Sequence, residues 1–138
     1  MHKKNLIIAL SVLVAIVAAV ALFLSLKPSD GIMTRRGDAY IVNTTKLTPK
    51  VRGYGGAVPL EVTIRGEKIT ELRALANQET PEFFNSAKNK LFRFYKGKTV
   101  SEALRSRPDA MTGATYSSGA IIANVQAALK YYQEYRTH

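Results

Sequence analysis

The first hydrophobic pattern of the chain is a continuous apolar run near its N-terminus. Residues 5–26 carry no charged side chain, and their polar residues are Asn5, Ser11 and Ser25. A helix of about 20 apolar residues spans the ~30 Å hydrocarbon core of a bilayer, whereas a cleavable signal peptide has an apolar region of only ~7–15 residues. Residues 1–27 are therefore predicted to be a transmembrane anchor, with a cleaved signal segment as the alternative.

A breaker-rich segment and then alternating patterns follow this run. Residues 28–38 are polar and contain proline and glycine, which indicates a linker. Residues 39–45 combine β-branched and aromatic side chains, and residues 59–65 alternate apolar with polar side chains, as half-buried strands do. A turn at residues 66–68 leads to a third strand pattern that starts at Ile69. These patterns predict an antiparallel sheet.

The second half of the chain changes to helical spacing. Thr80 and Pro81 suit the N-cap and the first position of a helix. The apolar stripe that follows is predicted to face the core and consists of Phe83, Ala87, Leu91 and Phe94. Thr99 and Glu102 fit the capping box of a short helix that ends near Leu104.

The last predicted helix covers residues 117–135 and contains no proline. Its core stripe is predicted to consist of Ile121, Val125, Ala128 and Tyr132, widened by Ile122 and Leu129. The expected fold class is α+β, a small antiparallel sheet packed with helices and preceded by one N-terminal transmembrane helix. The predicted division is an anchor at 1–27, a linker at 28–38 and one domain at 39–138.

Residue content argues against several kinds of site. The chain has no cysteine, and its two histidines, His2 and His138, lie close to the two ends. Thiolate clusters, histidine-based metal centres and protein-ligated haem are therefore not expected, and no metal site is predicted. Histidine acid–base catalysis is not expected either, and no residue is assigned a catalytic role.

The domain is basic. When Lys3, Lys4 and Lys27 are set aside, 17 of the 20 basic residues remain against 10 acidic ones. A positive surface attracts nucleic acid, anionic lipid or acidic protein, and it also serves simply to keep a domain soluble. Because the basic residues are dispersed and no nucleic-acid motif is visible, nucleic acid is not an expected partner. Anionic headgroups, an acidic redox partner and a plain solvated surface all remain compatible with the charge.

The most informative motif lies directly before the last helix. Residues 109–115 read Asp-Ala-Met-Thr-Gly-Ala-Thr. A helix start has backbone N–H groups without intrahelical partners and the positive end of the helix dipole. The small residues Gly113 and Ala114 allow an anion such as phosphate to approach that backbone closely. The same residue types also suit an ordinary loop with an N-cap.

This run resembles the flavinylation motif of the FMN-binding domain family, Asp-x-x-Ser/Thr-Gly-Ala-Thr, whose last threonine is joined to FMN through a phosphoester bond. Residues 53–56, Gly-Tyr-Gly-Gly, resemble the glycine-rich turn of that family, and residues 79–81 resemble its Glu-Thr-Pro-Gly element, with Glu82 in place of the glycine. The resemblance covers roughly residues 50–130. It extends to the flavin-bearing C subunit of Na⁺-translocating NADH:quinone reductase and the G subunit of the Rnf complex.

The resemblance implies that Thr115 carries FMN covalently and that a separate flavin transferase attaches it. The other cofactor-binding residues expected at the site are Asp109, Met111, Thr112, Gly113, Ala114, Tyr116, Ser117, Glu79 and Thr80. Asp109 would repel the phosphate, so its expected role is loop capping or recognition by the transferase. Glu79, Thr80 and Tyr116 are expected to contact the ribityl chain or the ring.

The resemblance further implies an electron carrier that is a subunit or partner of a membrane redox complex, rather than a stand-alone enzyme. It also implies that the FMN domain lies outside the cytoplasm, and the short basic N-terminus before the first helix agrees with that orientation. Two other classes stay open. One is a module that binds FMN or another phosphate ligand noncovalently, and the other is a non-redox structural subunit of a membrane complex.

Overall fold

A computed structural model describes residues 2–25, 31–106, 108 and 115–136. The strands in this part of the chain are β1 (Met33–Arg36), β2 (Ala39–Asn43), β3 (Leu60–Arg65) and β4 (Lys68–Ala74). The helices are α1 (His2–Ser25), α2 (Pro81–Tyr95), α3 (Val100–Arg105) and α4 (Thr115–Tyr135). The predicted α+β class with a small antiparallel sheet is confirmed.

The sheet is an antiparallel meander in the order β1-β2-β3-β4. In β3 the side chains of Leu60, Val62 and Ile64 are fully buried and the residues between them are not, so the predicted alternation is confirmed. Gly66 and Glu67 form the tight turn between β3 and β4, with φ angles of 57° and 65°. Two consecutive positive φ angles are typical of the turn that matches the twist of a β-hairpin.

Strand β1 lies inside the segment that the sequence assigned to a linker. It pairs with β2, with Met33 opposite Val42 and Arg36 opposite Ala39. Three of its four residues are exposed, so β1 shows no alternation of apolar and polar side chains. Charged side chains of this kind are common on edge strands, where they discourage pairing with other chains. The linker prediction is therefore wrong for these residues, and the sheet begins before residue 39.

Helix α2 begins at Pro81 with Thr80 as its N-cap, as predicted. Its buried residues, however, are Phe84, Ala87, Leu91 and Tyr95. Phe83 is 54% exposed and Phe94 only partly buried, so the predicted stripe is wrong at both ends. Phe83 and Phe84 are both at helical spacing from Ala87 and Leu91, and the folded structure buries Phe84 and leaves Phe83 exposed.

The last two helices follow the sequence closely. The Thr99 hydroxyl accepts a 3.1 Å hydrogen bond from the N–H of Glu102 and caps α3, as predicted. Helix α4 begins at Thr115, two residues before its predicted start, and its predicted core stripe is confirmed, with Ile121, Val125, Ala128 and Tyr132 all buried. Because α4 packs against β2 and β3 and against α2 and α3, the core lies between one face of the sheet and the helices.

Helix α1 covers most of the apolar N-terminal run. The side chains of residues 3–18 are exposed, so they take no part in the core of the domain. No helix in the described part of the chain has both the length and the hydropathy of a membrane span.

Candidate functional site

The carboxylate of Glu79 joins two parts of the chain that are distant in sequence. Glu79 is 7% exposed. It accepts hydrogen bonds from the Ser117 hydroxyl at 2.6 Å, from the Tyr54 N–H at 3.0 Å and from the Gly55 N–H. Ser117 belongs to the first turn of α4, whereas Tyr54 and Gly55 lie in the loop between β2 and β3. Two predicted site residues, Glu79 and Ser117, are therefore in direct contact.

A short local motif orients Glu79 toward these partners. The side-chain oxygen of Asn77 accepts a 3.0 Å hydrogen bond from the N–H of Glu79, and the Asn77 amide donates to the carbonyl of Leu75, also at 3.0 Å. Asparagine often stabilises a turn through such a bond to the backbone two residues further on. Because α2 begins directly afterwards, this turn and the helix hold Glu79 from both sides.

The glycine-rich turn leaves the space that Glu79 occupies. A Cβ atom at Gly53 would overlap the Glu79 carboxylate and come within 3.0 Å of Val58. A Cβ atom at Gly55 would overlap the main-chain oxygen of Gln78. The glycines of the predicted family motif therefore have a steric role in this structure, which is to let the turn close over the carboxylate.

The first turn of α4 has one exposed side and one buried side. Thr115, its first residue, is exposed, and Tyr116 is 71% exposed. Ser117 and Ser118 are buried. Thr115 is therefore exposed to solvent, whereas the Ser117 hydroxyl donates a hydrogen bond to Glu79.

A second polar contact holds α4 two helical turns further along. The buried side chain of Asn124 accepts a hydrogen bond from the Thr48 hydroxyl, which belongs to the segment after β2. Together with the bond between Glu79 and Ser117, this contact restrains α4 along its axis. The position of Thr115 at the helix start follows from these restraints.

Exposed aromatic side chains lie on the segments that meet at Glu79. Tyr54 is 79% exposed, and its N–H is one of the groups bonded to Glu79. Tyr116 is adjacent to Ser117, and Phe83 lies in the first turn of α2. The helical periodicity predicts Phe83 in the core, because it does not distinguish Phe83 from Phe84.

The structure describes only some of the remaining predicted site residues. Thr80 is exposed at the N-cap of α2, and its side chain makes no capping bond to a described residue. Five residues of the predicted set lie outside the described residues, namely Asp109, Met111, Thr112, Gly113 and Ala114. Contact with FMN remains a prediction for all these residues. The same holds for Glu79, Tyr116 and Ser117.

The fold and these contacts define a small α+β domain in which hydrogen bonds hold a helix that begins with a threonine. Such a helix N-terminus suits a phosphate-bearing ligand. The chain belongs to the FMN-binding domain family, whose model matches residues 53–130. No curated protein matches the chain in sequence. The family expected from the motifs is confirmed, and the domain is accordingly a flavin-binding domain with FMN as its cofactor.

The described residues suit an FMN phosphate at this position. The first N–H groups of an α-helix have no partners within the helix, and the dipole places partial positive charge there. The first turn of α4 contains no acidic residue that would repel the phosphate. Thr115 adds an exposed hydroxyl at the same helix end.

Proposed function

We propose that this protein is a membrane-anchored electron carrier that holds FMN covalently on Thr115, on the extracytoplasmic side of the membrane. It serves as a subunit or partner of a membrane redox complex. A separate flavin transferase joins the Thr115 hydroxyl oxygen to the phosphorus of the FMN half of a flavin dinucleotide. The P–O bond of the pyrophosphate breaks, the nucleoside monophosphate leaves, and the hydroxyl proton is lost.

The exposure of Thr115, the first residue of α4, is the observation that carries the proposal. A transferase requires an accessible hydroxyl, and the phosphate requires N–H donors beside it. The neighbouring Ser117 is buried and bonded to Glu79, so it is a poor competitor for the modification. Thr115 meets both requirements.

A covalent bond has a physical advantage outside the cytoplasm. There the domain has no access to the cytoplasmic pool of FMN, and a cofactor in dissociation equilibrium would be lost. When bound, FMN supplies one- or two-electron redox chemistry, and the protein determines its position and surroundings. The residues of this chain bind and orient the cofactor and are not assigned to the transformation of a substrate.

The proposed anchor is the N-terminal segment 1–27 with its apolar run at residues 5–26, most of which lies in α1. A helix of 24 residues is about 36 Å long at 1.5 Å per residue. The described side chains at residues 3–18 are exposed and mostly apolar, so the domain itself does not cover them. A helix that is apolar on all sides is stable when lipid or protein surrounds it. We propose that lipid surrounds this helix.

Denaturing electrophoresis of the full-length protein, co-expressed with a flavin transferase, tests the covalent bond. We expect a fluorescent flavin band that survives SDS and an added mass of one FMN less one water. Thr115→Ala should abolish both signals, Thr115→Ser should keep them because it retains a hydroxyl, and Thr45→Ala should keep them as a control at another exposed threonine.

Each other outcome identifies a different function. Flavin that is released by denaturation would identify a noncovalent binding module. Protein without flavin in either state would identify a structural subunit. Covalent flavin on Thr115→Ala would show that another residue carries the bond.

The absence of cysteine makes the topology directly testable. Thr45→Cys and Lys3→Cys each introduce a single thiol, one in the domain and one before the apolar run. In intact cells a membrane-impermeant maleimide should label the first variant and leave the second unlabelled. The reverse pattern would place the domain inside the cell.

A further inference from the structure

Helix α2 presents a solvent-exposed stripe beside its buried residues. Phe83, Ser86, Lys90 and Arg93 are all exposed, and their spacing of three, four and three residues places them on one side of the helix. These four residues are termed the α2 outer face. No other element in the described part of the chain covers them.

The cations of this face form no ion pair with any residue that the structure describes. Among the described residues, ion pairs join Arg65 to Asp38, Arg73 to Glu61 and Arg136 to Glu67. Neither Lys90 nor Arg93 takes part in these pairs. Their charges are therefore available to a partner of opposite charge.

The surface beside these cations has two shallow, open depressions. One depression of about 630 Å³ is lined by Ser86, Asn89, Lys90 and Arg93. A second, of about 430 Å³, lies between α2 and β4, where Lys96 and Glu71 join Asn89 and Arg93. Lys90 and Arg93 beside these depressions attract the acidic side chains of a protein partner, while Glu71 adds one negative charge to the second depression.

Phe83 extends the α2 outer face toward the candidate site. It lies four residues after Glu79, and Arg93 follows ten residues later, about 15 Å along the helix. Electron-transfer complexes are small, often below ~1,200 Å² in total. Aromatic residues are enriched in interface cores, and complementary charge accelerates the encounter. The α2 outer face combines these properties within a few helical turns of the site.

We infer that the α2 outer face is the docking surface for an acidic redox protein. Lys90 and Arg93 attract that protein, and Phe83 packs against it at the end nearest Glu79. The docked protein, as a one-electron acceptor, gains the electron that the reduced cofactor gives up. Because this docking serves electron transfer from the bound cofactor, the assignment rests on the proposed function.

The docking surface is tested with the acidic copper protein plastocyanin as the probe. The full-length chain is placed in phosphatidylcholine nanodiscs, and binding of the labelled probe is followed by fluorescence anisotropy. We expect binding that weakens with salt and a loss of affinity of roughly tenfold or more in K90E/R93E. The control K68E/K130E makes the same charge change at two exposed lysines elsewhere. An equal loss in both double variants would show that net charge alone matters and would overturn the assignment.

Thr115→Ala separates the failure of docking from the failure of the proposed function. This variant lacks the attachment residue but keeps the α2 outer face, so it should bind the probe as the wild type does. Flavin missing from wild-type protein would overturn the carrier function, even if docking persists. Flavin present without charge-dependent docking would overturn the docking surface alone.

Electron transfer gives a second measurement. Oxidation of the reduced, flavin-loaded chain by plastocyanin should slow in K90E/R93E and also in F83A, with flavin loading unchanged. An anionic membrane is the competing occupant of the surface. If the difference between wild type and K90E/R93E disappears in nanodiscs that contain phosphatidylglycerol, the face lies against lipid and the assignment is wrong.

Discussion

The Ser117 hydroxyl donates a 2.6 Å hydrogen bond to the Glu79 carboxylate across 38 residues of sequence. Ser117 lies two residues after Thr115, so this bond ties the start of α4 to the segment that precedes α2. The same carboxylate holds the glycine-rich turn through two backbone N–H groups. The position of Thr115 therefore depends on a buried carboxylate, whether or not that carboxylate also touches the cofactor.

Glu79→Gln should destabilise the domain. The substituted amide keeps one acceptor but places an NH₂ group against groups that are themselves donors. Loss of bonds to a buried carboxylate of this kind costs about 2–3 kcal/mol. Urea unfolding of the full-length protein measures the change. Glu82→Gln is the matched control, since Glu82 is exposed in the first turn of α2. Equal unfolding midpoints for the two variants would contradict the role given to Glu79.

Three substitutions of glycine by alanine should change the free energy of unfolding in different directions. Gly53→Ala and Gly55→Ala force a methyl group against Glu79 and Gln78 and should each cost about 1–3 kcal/mol. Gly119→Ala meets no atom within 4 Å in an exposed part of α4 and should stabilise by about 0.5–1 kcal/mol, the helix propensity difference. Thermal unfolding of the three variants gives the order. A destabilised Gly119→Ala would show that α4 begins in a different conformation.

The two threonine N-caps should also behave differently. Thr99→Ala removes the bond to the N–H of Glu102 and should cost about 1 kcal/mol. Thr80→Ala removes no capping bond to a described residue and should change stability by less than about 0.5 kcal/mol. Denaturant midpoints measure both variants. A flavin that loosens in Thr80→Ala without a change in stability would support the predicted contact of Thr80 with the cofactor.

Alkaline pH should weaken the fold through Tyr132. Burial, and next the 2.8 Å hydrogen bond to Glu67, raise the pKa of Tyr132 above its ordinary value of 10.0, partly opposed by Arg136. Below that pH the phenol is neutral in both the folded and the unfolded chain. As the pH rises further, the unfolded chain ionises first, so the free energy of unfolding falls.

Tyr132→Phe should remove this part of the pH dependence. The free energy of unfolding of the wild type, measured by urea between pH ~9 and pH ~11, should fall more steeply than that of the variant. Tyr131→Phe, at a less buried neighbour, is the control. Parallel curves for wild type and Tyr132→Phe would show that the phenol titrates alike in both states.

Local patterns predicted several elements correctly. The alternation in β3, the cap of α3 and the core stripe of α4 each depend on residues within a few positions of one another. The spacing of apolar side chains along the chain and hydrogen bonds to the nearby backbone are enough to specify these features. The motif at residues 109–115 is equally local, and it led to the family that the match to residues 53–130 confirms.

Other features were not predictable in this way. The polar strand β1 is a strand because β2 offers it hydrogen-bond partners, and its own side chains show no periodicity. Phe83 and Phe84 are equivalent at helical spacing, so tertiary packing decides which of them is buried.

Residue order alone was sufficient to assign this protein to a flavin-binding family and to single out Thr115 as the proposed attachment site, since those features lie in short contiguous motifs. The bond between Glu79 and Ser117 and the exposure of Phe83 required the folded chain. Both arise where segments far apart in sequence pack together. A hydrogen-bond partner 38 residues away cannot be inferred from the local sequence pattern.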